Sequence, residues 1–248
     1  ALLAAPLLLR EGKQFTVTEA GERLYREARE ILLSLSNLEQ QIGQDPSHEG
    51  LVRVMSPGSV GLKLYPHLLA LQQQYPKLVI DYRFAPNLDV ESAIAEHRVD
   101  IGFMTTTSAR EEVSCQAIAT EPLLLVTPVA VTDPSWQALQ QLGFIDHPDG
   151  SHHAGLLLGA NYPAYQHSQL LAQKGFCNQI SLILQPVSLG LGFTVLPAHA
   201  VAAFGQPEQI KTHRLANPVS ETLYLALRRN RVAPQRVETV LSEAQKWL

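Results

Sequence analysis

Cysteine is nearly absent: the 248 residues hold two, Cys115 and Cys177, far apart and outside any paired-cysteine motif. A disulfide framework and a cysteine-based zinc site are therefore excluded, and two reduced thiols are expected. A redox-sensing pair would need electropositive surroundings that neither neighbourhood supplies. No run of about eighteen apolar residues occurs, so no membrane-spanning helix is expected. The chain does not open on the basic start, apolar stretch and small-residue cleavage site of an export signal, and a cytoplasmic location is expected. Strong charge of one sign is missing as well. A net charge of -4 supplies no global field toward nucleic acid or an anionic membrane, and leaves open only a local patch.

The common catalytic signatures are also wanting. "PGSVG" sets Ser59 between glycines, but as Gly-Ser-x-Gly rather than the Gly-x-Ser-x-Gly of a nucleophile elbow. "LGLG" lacks the third glycine and downstream acid of a dinucleotide fingerprint, and Gly190 and Gly192 read as turn or packing residues. "DHPDGSHH", residues 146 to 153, gathers histidines and aspartates in a spacing that fits no common zinc pattern, and reads as a polar Pro-Gly loop after a strand. No catalytic residue, metal site or cofactor is assigned, and an enzyme is not expected.

What is present begins with "LLLREGKQFTVTEAGERLY", residues 7 to 25. It reads as a strand, a tight turn, a second strand and a capped helix. Thr18 serves as N-cap with Glu19 and Glu22 in the first turn, where acidic side chains suit the helix dipole. No proline follows until Pro46, so the helix runs to about residue 43. Its apolar residues are Leu24, Ala28, Ile31, Leu35, Leu38 and Ile42, separated by four, three, four, three and four. Such a seam drives a two-helix coiled coil. The other reading is an amphipathic helix lying on its own domain, although such helices carry a wider apolar stripe.

From residue 51 short apolar strands alternate with helices, the pattern of an α/β fold with parallel sheets covered by helices. "LVRVM", "LVIDYRF" and "VDIGFM" are strands. Between them lie a helix interrupted by Pro66 and a second opening at Asn87. "VSCQAIA" and "EPLLLVTPVAV" read as two strands, with a change of lobe near Pro122. "PSWQALQQL" is a helix; "GFIDH", "ISLIL" and "FTVL" are strands, with helices near 163 to 174 and 197 to 204. "ETLYLALRR" crosses back, and a helix after Pro234 covers the first lobe. Two lobes joined by two crossing strands leave a cleft, into which loops at strand ends point.

These stretches carry a resemblance. "LLLREGKQFTVTEAGERL" resembles the wing and linker-helix entry of LysR-type transcriptional regulators, with Arg10, Gly12, Lys13 and Thr18-Glu19-Ala20-Gly21 in the matching places and Leu8 where the family often has Phe. "LVRVMSPGSVGLKLYPHLLALQQQYP", "HRVDIGFM" and "LGLGFTVLP" resemble the family's effector-binding domain, itself similar to periplasmic solute-binding proteins. The resemblance implies residues 1–17 as the remnant of a winged helix-turn-helix domain, with "ALLAAP" the tail of its recognition helix. Residues 18–50 are then the linker helix and hinge. Residues 51–248 form a two-lobed, periplasmic-binding-protein-like effector domain, with lobe I at 51–122 and 223–248 and lobe II at 123–222.

A ligand-responsive transcriptional regulator is thus expected, with a transport solute-binding protein, or an enzyme using the cleft, as rivals. Expected partners are promoter DNA through the full-length protein, a small effector such as a carboxylate, and a second copy as homodimer or homotetramer; no membrane is involved. The effector candidates are Ser56, Pro57, Gly58 and Ser59 after the first strand, Asn87 at a helix start, Thr105 and Thr107 after the third strand, and His147 facing them from the second lobe. Each has a plainer reading. The serines cap their own helix, the threonines are exposed loop, and His147 is a solvated loop histidine. Arg10 and Lys13 are candidates for DNA contact, or simply solvated surface.

Overall fold

The computed structural model describes residues 5–12, 14–43 and 45–248, with the backbone alone at 11, 34 and 36–43. The chain divides into two units, Ala1–Pro46 and Ser47–Leu248. Among the described residues no helix is long and apolar enough to cross a membrane.

In the first unit β1 (Leu8–Glu11) and β2 (Gln14–Val17) pair antiparallel, with Leu8 opposite Val17 and Arg10 opposite Phe15. Gly12 turns the chain at a φ of +67°, which glycine adopts without steric cost. The helix α1 (Glu19–Gly43) follows. The Thr18 hydroxyl donates to the Pro6 carbonyl at 2.6 Å and accepts the Gly21 N–H at 3.0 Å, which ties the strand's entry to the helix start. A Cβ on Gly21 would stand 2.2 Å from the Leu7 carbonyl oxygen, so the hairpin's backbone passes where only glycine fits. Leu24, Ile31 and Leu35 are 40, 67 and 50 % exposed, and Ala28 is half-buried. The side chains of Leu38 and Ile42, and Lys13 entirely, lie outside the described residues.

In the second unit β3 (Gly50–Ser56), β4 (Leu78–Phe84) and β5 (Ile101–Met104) are parallel, with β3 central. Side chains alternate across the sheet. Val52 and Val54 face a core shared with α2 (Gly58–Gln74) and α8 (Gln235–Gln245), while Met55 joins Val90 and Ile94 of α3 (Asn87–Ala95) on the other face. Burial on both faces explains the unbroken apolar character of β5, whose four residues are all buried.

The long strand β6 (Val113–Pro128) and the return strand β11 (Ser220–Arg228) cross between the lobes. The first half of β6 pairs with β11; its second half pairs with β9 (Thr194–Pro197) and β10 (Ile210–His213). The second lobe adds α4 (Trp136–Leu142), β7 (Phe144–Asp146), α5 (Gly150–Asn161), β8 (Gln173–Phe176), α6 (Leu184–Ser188) and α7 (Ala198–Ala202), with β7 and β8 parallel.

Several sequence expectations are corrected. The two strands around Pro122 are one continuous strand, and α2 runs through Pro66, held by buried Leu64, Leu68 and Leu71 at helical spacing. The supposed loop at 150 to 153 opens α5, whose buried His153, Ala154, Leu157 and Leu158 have a helical period. "ISLIL" is no strand. It forms a short 3-10 turn at Ile180–Leu182 and then α6, and the buried Ile183 and Leu184 stand four and three residues before the buried Val187. Residues 163 to 174 hold a 3-10 turn at Ser168–Leu170 and the start of β8 instead of a helix.

Candidate functional site

The ends of β3, β4 and β5 lie side by side, because β3 pairs with both neighbours. At the end of β3, Ser56 is fully buried. Its hydroxyl donates to the Pro57 carbonyl at 2.9 Å and stands 2.8 Å from the Tyr82 hydroxyl, which is left to donate in return. Burial pushes the Tyr82 hydroxyl well above the ordinary phenol range, so it stays protonated. Neither serine caps α2: Pro57 occupies the cap position and makes no side-chain bond. Ser59 is buried in the first turn, where the leading N–H groups of a helix have no partner within it.

The ends of β4 and β5 are clamped together. Asn87 Nδ2 donates to Thr105 Oγ1 at 2.9 Å, and the Thr105 N–H donates to Asn87 Oδ1 at 2.8 Å. The side chain that opens α3 therefore serves the neighbouring strand end. Thr107 is exposed beyond it. From the second lobe, Ile180 rests on the start of α2: a Cβ on Gly58 would come 2.8 Å from Ile180 Cγ2. Ile180 faces this loop from a 3-10 turn, and the sequence does not disclose it, because the apolar run "ISLIL" suits a strand equally well.

His147 is placed differently from either sequence reading. It is 4 % exposed, and its Nε2 stands 3.0 Å from the Val195 carbonyl inside the second lobe. Burial first, and then the nearby His153, lower its pKa to about 4, against the upward pull of that carbonyl. A neutral ring donating to Val195 is the outcome, and no bond joins it to Ser56, Ser59, Asn87 or Thr105. In the first unit, Arg10 Nε donates to the Gly12 carbonyl at 3.1 Å and its guanidinium lies 5.5 Å from the Phe15 ring centroid. Cys115 and Cys177 are both free and half-buried.

A family model, the LysR substrate binding domain, matches residues 46–248. The chain belongs to the LysR family. It is 28 % identical over 242 residues to an HTH-type transcriptional regulator of Shigella flexneri, YfeR, covering 91 % of this chain and 74 % of that protein. Against the regulator GltR of Bacillus subtilis it is 21 % identical over 232 residues, 92 % of this chain and 76 % of the relative. Among solved structures, oxidized OxyR of Corynebacterium glutamicum superposes with a TM-score of 0.73 at 18 % identity, over 98 % of this chain and 78 % of that one. Full-length CbnR in complex with its target DNA gives 0.64 at 16 %, over 98 % and 84 %. These likenesses share the two-lobed α/β fold. As a LysR-family member the chain is a transcriptional regulator, and the transport reading finds no support.

Proposed function

We propose that this LysR-family regulator senses a small oxygen-rich effector, most simply a carboxylate, in the cleft between its lobes, with lobe I at 51–122 and 223–248 and lobe II at 123–222. The observation that carries the reading is the side-by-side placement of three strand ends, the central one leading into α2, with Ile180 of the other lobe seated on Gly58. Ser56, Pro57, Gly58 and Ser59 offer hydroxyls and helix-start amides, which favour anionic or carbonyl oxygen. Asn87 and Thr105 hold the adjoining strand ends in place, and Thr107 borders them. His147 contributes as a neutral support beneath the second lobe's strand ends. Displacing Ile180 from Gly58 makes room for a ligand, so occupancy is coupled to the spacing of the lobes.

The effector state reaches promoter DNA through a dimer joined along α1 at Leu24, Ala28, Ile31 and Leu35, with Arg10 on the hairpin contacting DNA phosphates. The protein works in the cytoplasm and catalyses no reaction.

The test is a thermal-shift screen of small mono- and dicarboxylates, followed by calorimetric titration of a hit against wild type and Ser59→Ala. A lost bond to a charged ligand group costs about 1.5 to 3 kcal/mol, so Ser59→Ala should bind roughly ten- to a hundredfold more weakly. Equal affinities would remove Ser59 from the site, and a ligand bound outside the cleft would remove the reading.

A further inference from the structure

The crossing strands carry a second cluster, which the effector reading does not use. Glu121 of β6 lies directly opposite Glu221 of β11, and directly opposed residues of an antiparallel pair project from the same face with their Cβ atoms about 5 Å apart. Both are buried, at 0 and 3 % exposure. Glu121 Oε1 accepts the backbone N–H of His199 at 2.7 Å, and its Oε2 stands 3.3 Å from His199 Nε2. Glu221 Oε2 is 3.2 Å from His153 Nε2. The other oxygens, Glu121 Oε2 and Glu221 Oε1, and His153 Nδ1 are buried without a hydrogen-bond partner.

The surroundings do not balance two negative charges. Around Glu121 stand Glu221 from β11, His153 from α5, His199 from α7 and Lys63 from α2. Lys63 Nζ donates to the Leu248 carbonyl at 3.4 Å, and acts on Glu121 only through space. Burial and Lys63 hold the His199 ring toward its neutral form. Two buried carboxylates facing each other cannot both ionise cheaply, and the usual resolution is one proton between them.

We propose that Glu121 and Glu221 form a proton-binding site on the crossing strands, in which one of the two carboxyl groups takes up a proton near neutral pH, making the joint between the lobes sensitive to pH. A proton on one of the two orphan oxygens removes one of the two buried charges. Burial first, and Glu221 as well, raise the Glu121 pKa to about 7, against the His199 N–H, Lys63 and His153. The joint is where proton loss acts on the lobes: Glu121 holds the first turn of α7, and α7 packs on α2 of the other lobe.

The experiment follows glutamate carboxyl carbons by NMR in the full chain, labelled at Cδ, between pH 4 and 9. In wild type one glutamate carbon should titrate near neutrality. That signal should vanish in Glu121→Gln and move to lower pH in Glu221→Gln. If every glutamate of the wild type titrates in the ordinary carboxylate range, the proposal fails, and this arm requires no variant to fold. A near-neutral signal surviving both substitutions belongs elsewhere and equally overturns it. As a second readout, Glu121→Gln imitates the protonated acid, so its melting temperature should match wild type at pH 5 and exceed it at pH 8. A gap that is constant with pH would show that the proton does not act on stability.

Discussion

Single residues in this chain act by what their neighbours leave unpaired. Asn87 gives Thr105 both an acceptor and a donor. Replacing Asn87 with alanine strands a backbone N–H and should cost about 1 to 3 kcal/mol, read by urea unfolding, with Asn87→Asp losing less because the acceptor survives. His147 is a pH-dependent case. Its pKa is lowered to about 4 from an ordinary 6.5, so between those values the unfolded chain binds more protons than the folded one. Stability from His147 is therefore complete above pH 6.5 and lost as pH falls through 4, by a total on the order of 3 kcal/mol. Glu121 has the opposite sign, its raised pKa removing stability as pH rises from 4.5 to 7. Wild type and His147→Gln compared by urea unfolding across pH 4 to 7 isolate the histidine, and an unchanged difference would show that its burial has no thermodynamic weight.

At the scale of elements, α1 depends on its start and its seam. Gly21 lets the Leu7 carbonyl lie against the helix, so Gly21→Ala, which cannot be accommodated without moving backbone, should detach the hairpin. Faster amide exchange of Thr18, whose N–H donates to the Leu7 carbonyl at 3.1 Å, would report it. The sequence made this element legible because its signals are local: a cap, two acids and a strict apolar spacing. The three parallel strands of the first lobe were legible for the same reason, as short apolar runs between turns. The second lobe was not. There, apolar runs such as "ISLIL" suit strand or helix, and tertiary burial of Ile183, Leu184 and Val187 chose the helix. The candidate site divides likewise. Ser56, Asn87 and Thr105 follow from strand ends, whereas Ile180 needed the correct element. Glu121 and Glu221 needed a register joining positions a hundred residues apart, for which the only signal was the single acid that each crossing strand carries.

At the scale of the whole molecule, the two units should respond to different ligands. The first leaves Ile31 and Leu35 more than half or about half in water, exposure that a small helical unit does not sustain without a partner. Its stability should come from association, and anything binding only the folded form raises the unfolding midpoint with concentration. The second unit has its own closed cores and should melt independently of protein concentration. Circular dichroism over a hundredfold dilution should then show a helical component whose midpoint falls on dilution and a main transition that stays fixed. Ile31→Gln with Leu35→Gln should lower the first and weaken self-association in sedimentation while sparing the second. An effector at a hundred times its dissociation constant should do the reverse, stabilising the lobed unit by about 2.7 kcal/mol. If dilution shifts the main transition instead, the lobes themselves carry the association and α1 is not its seat.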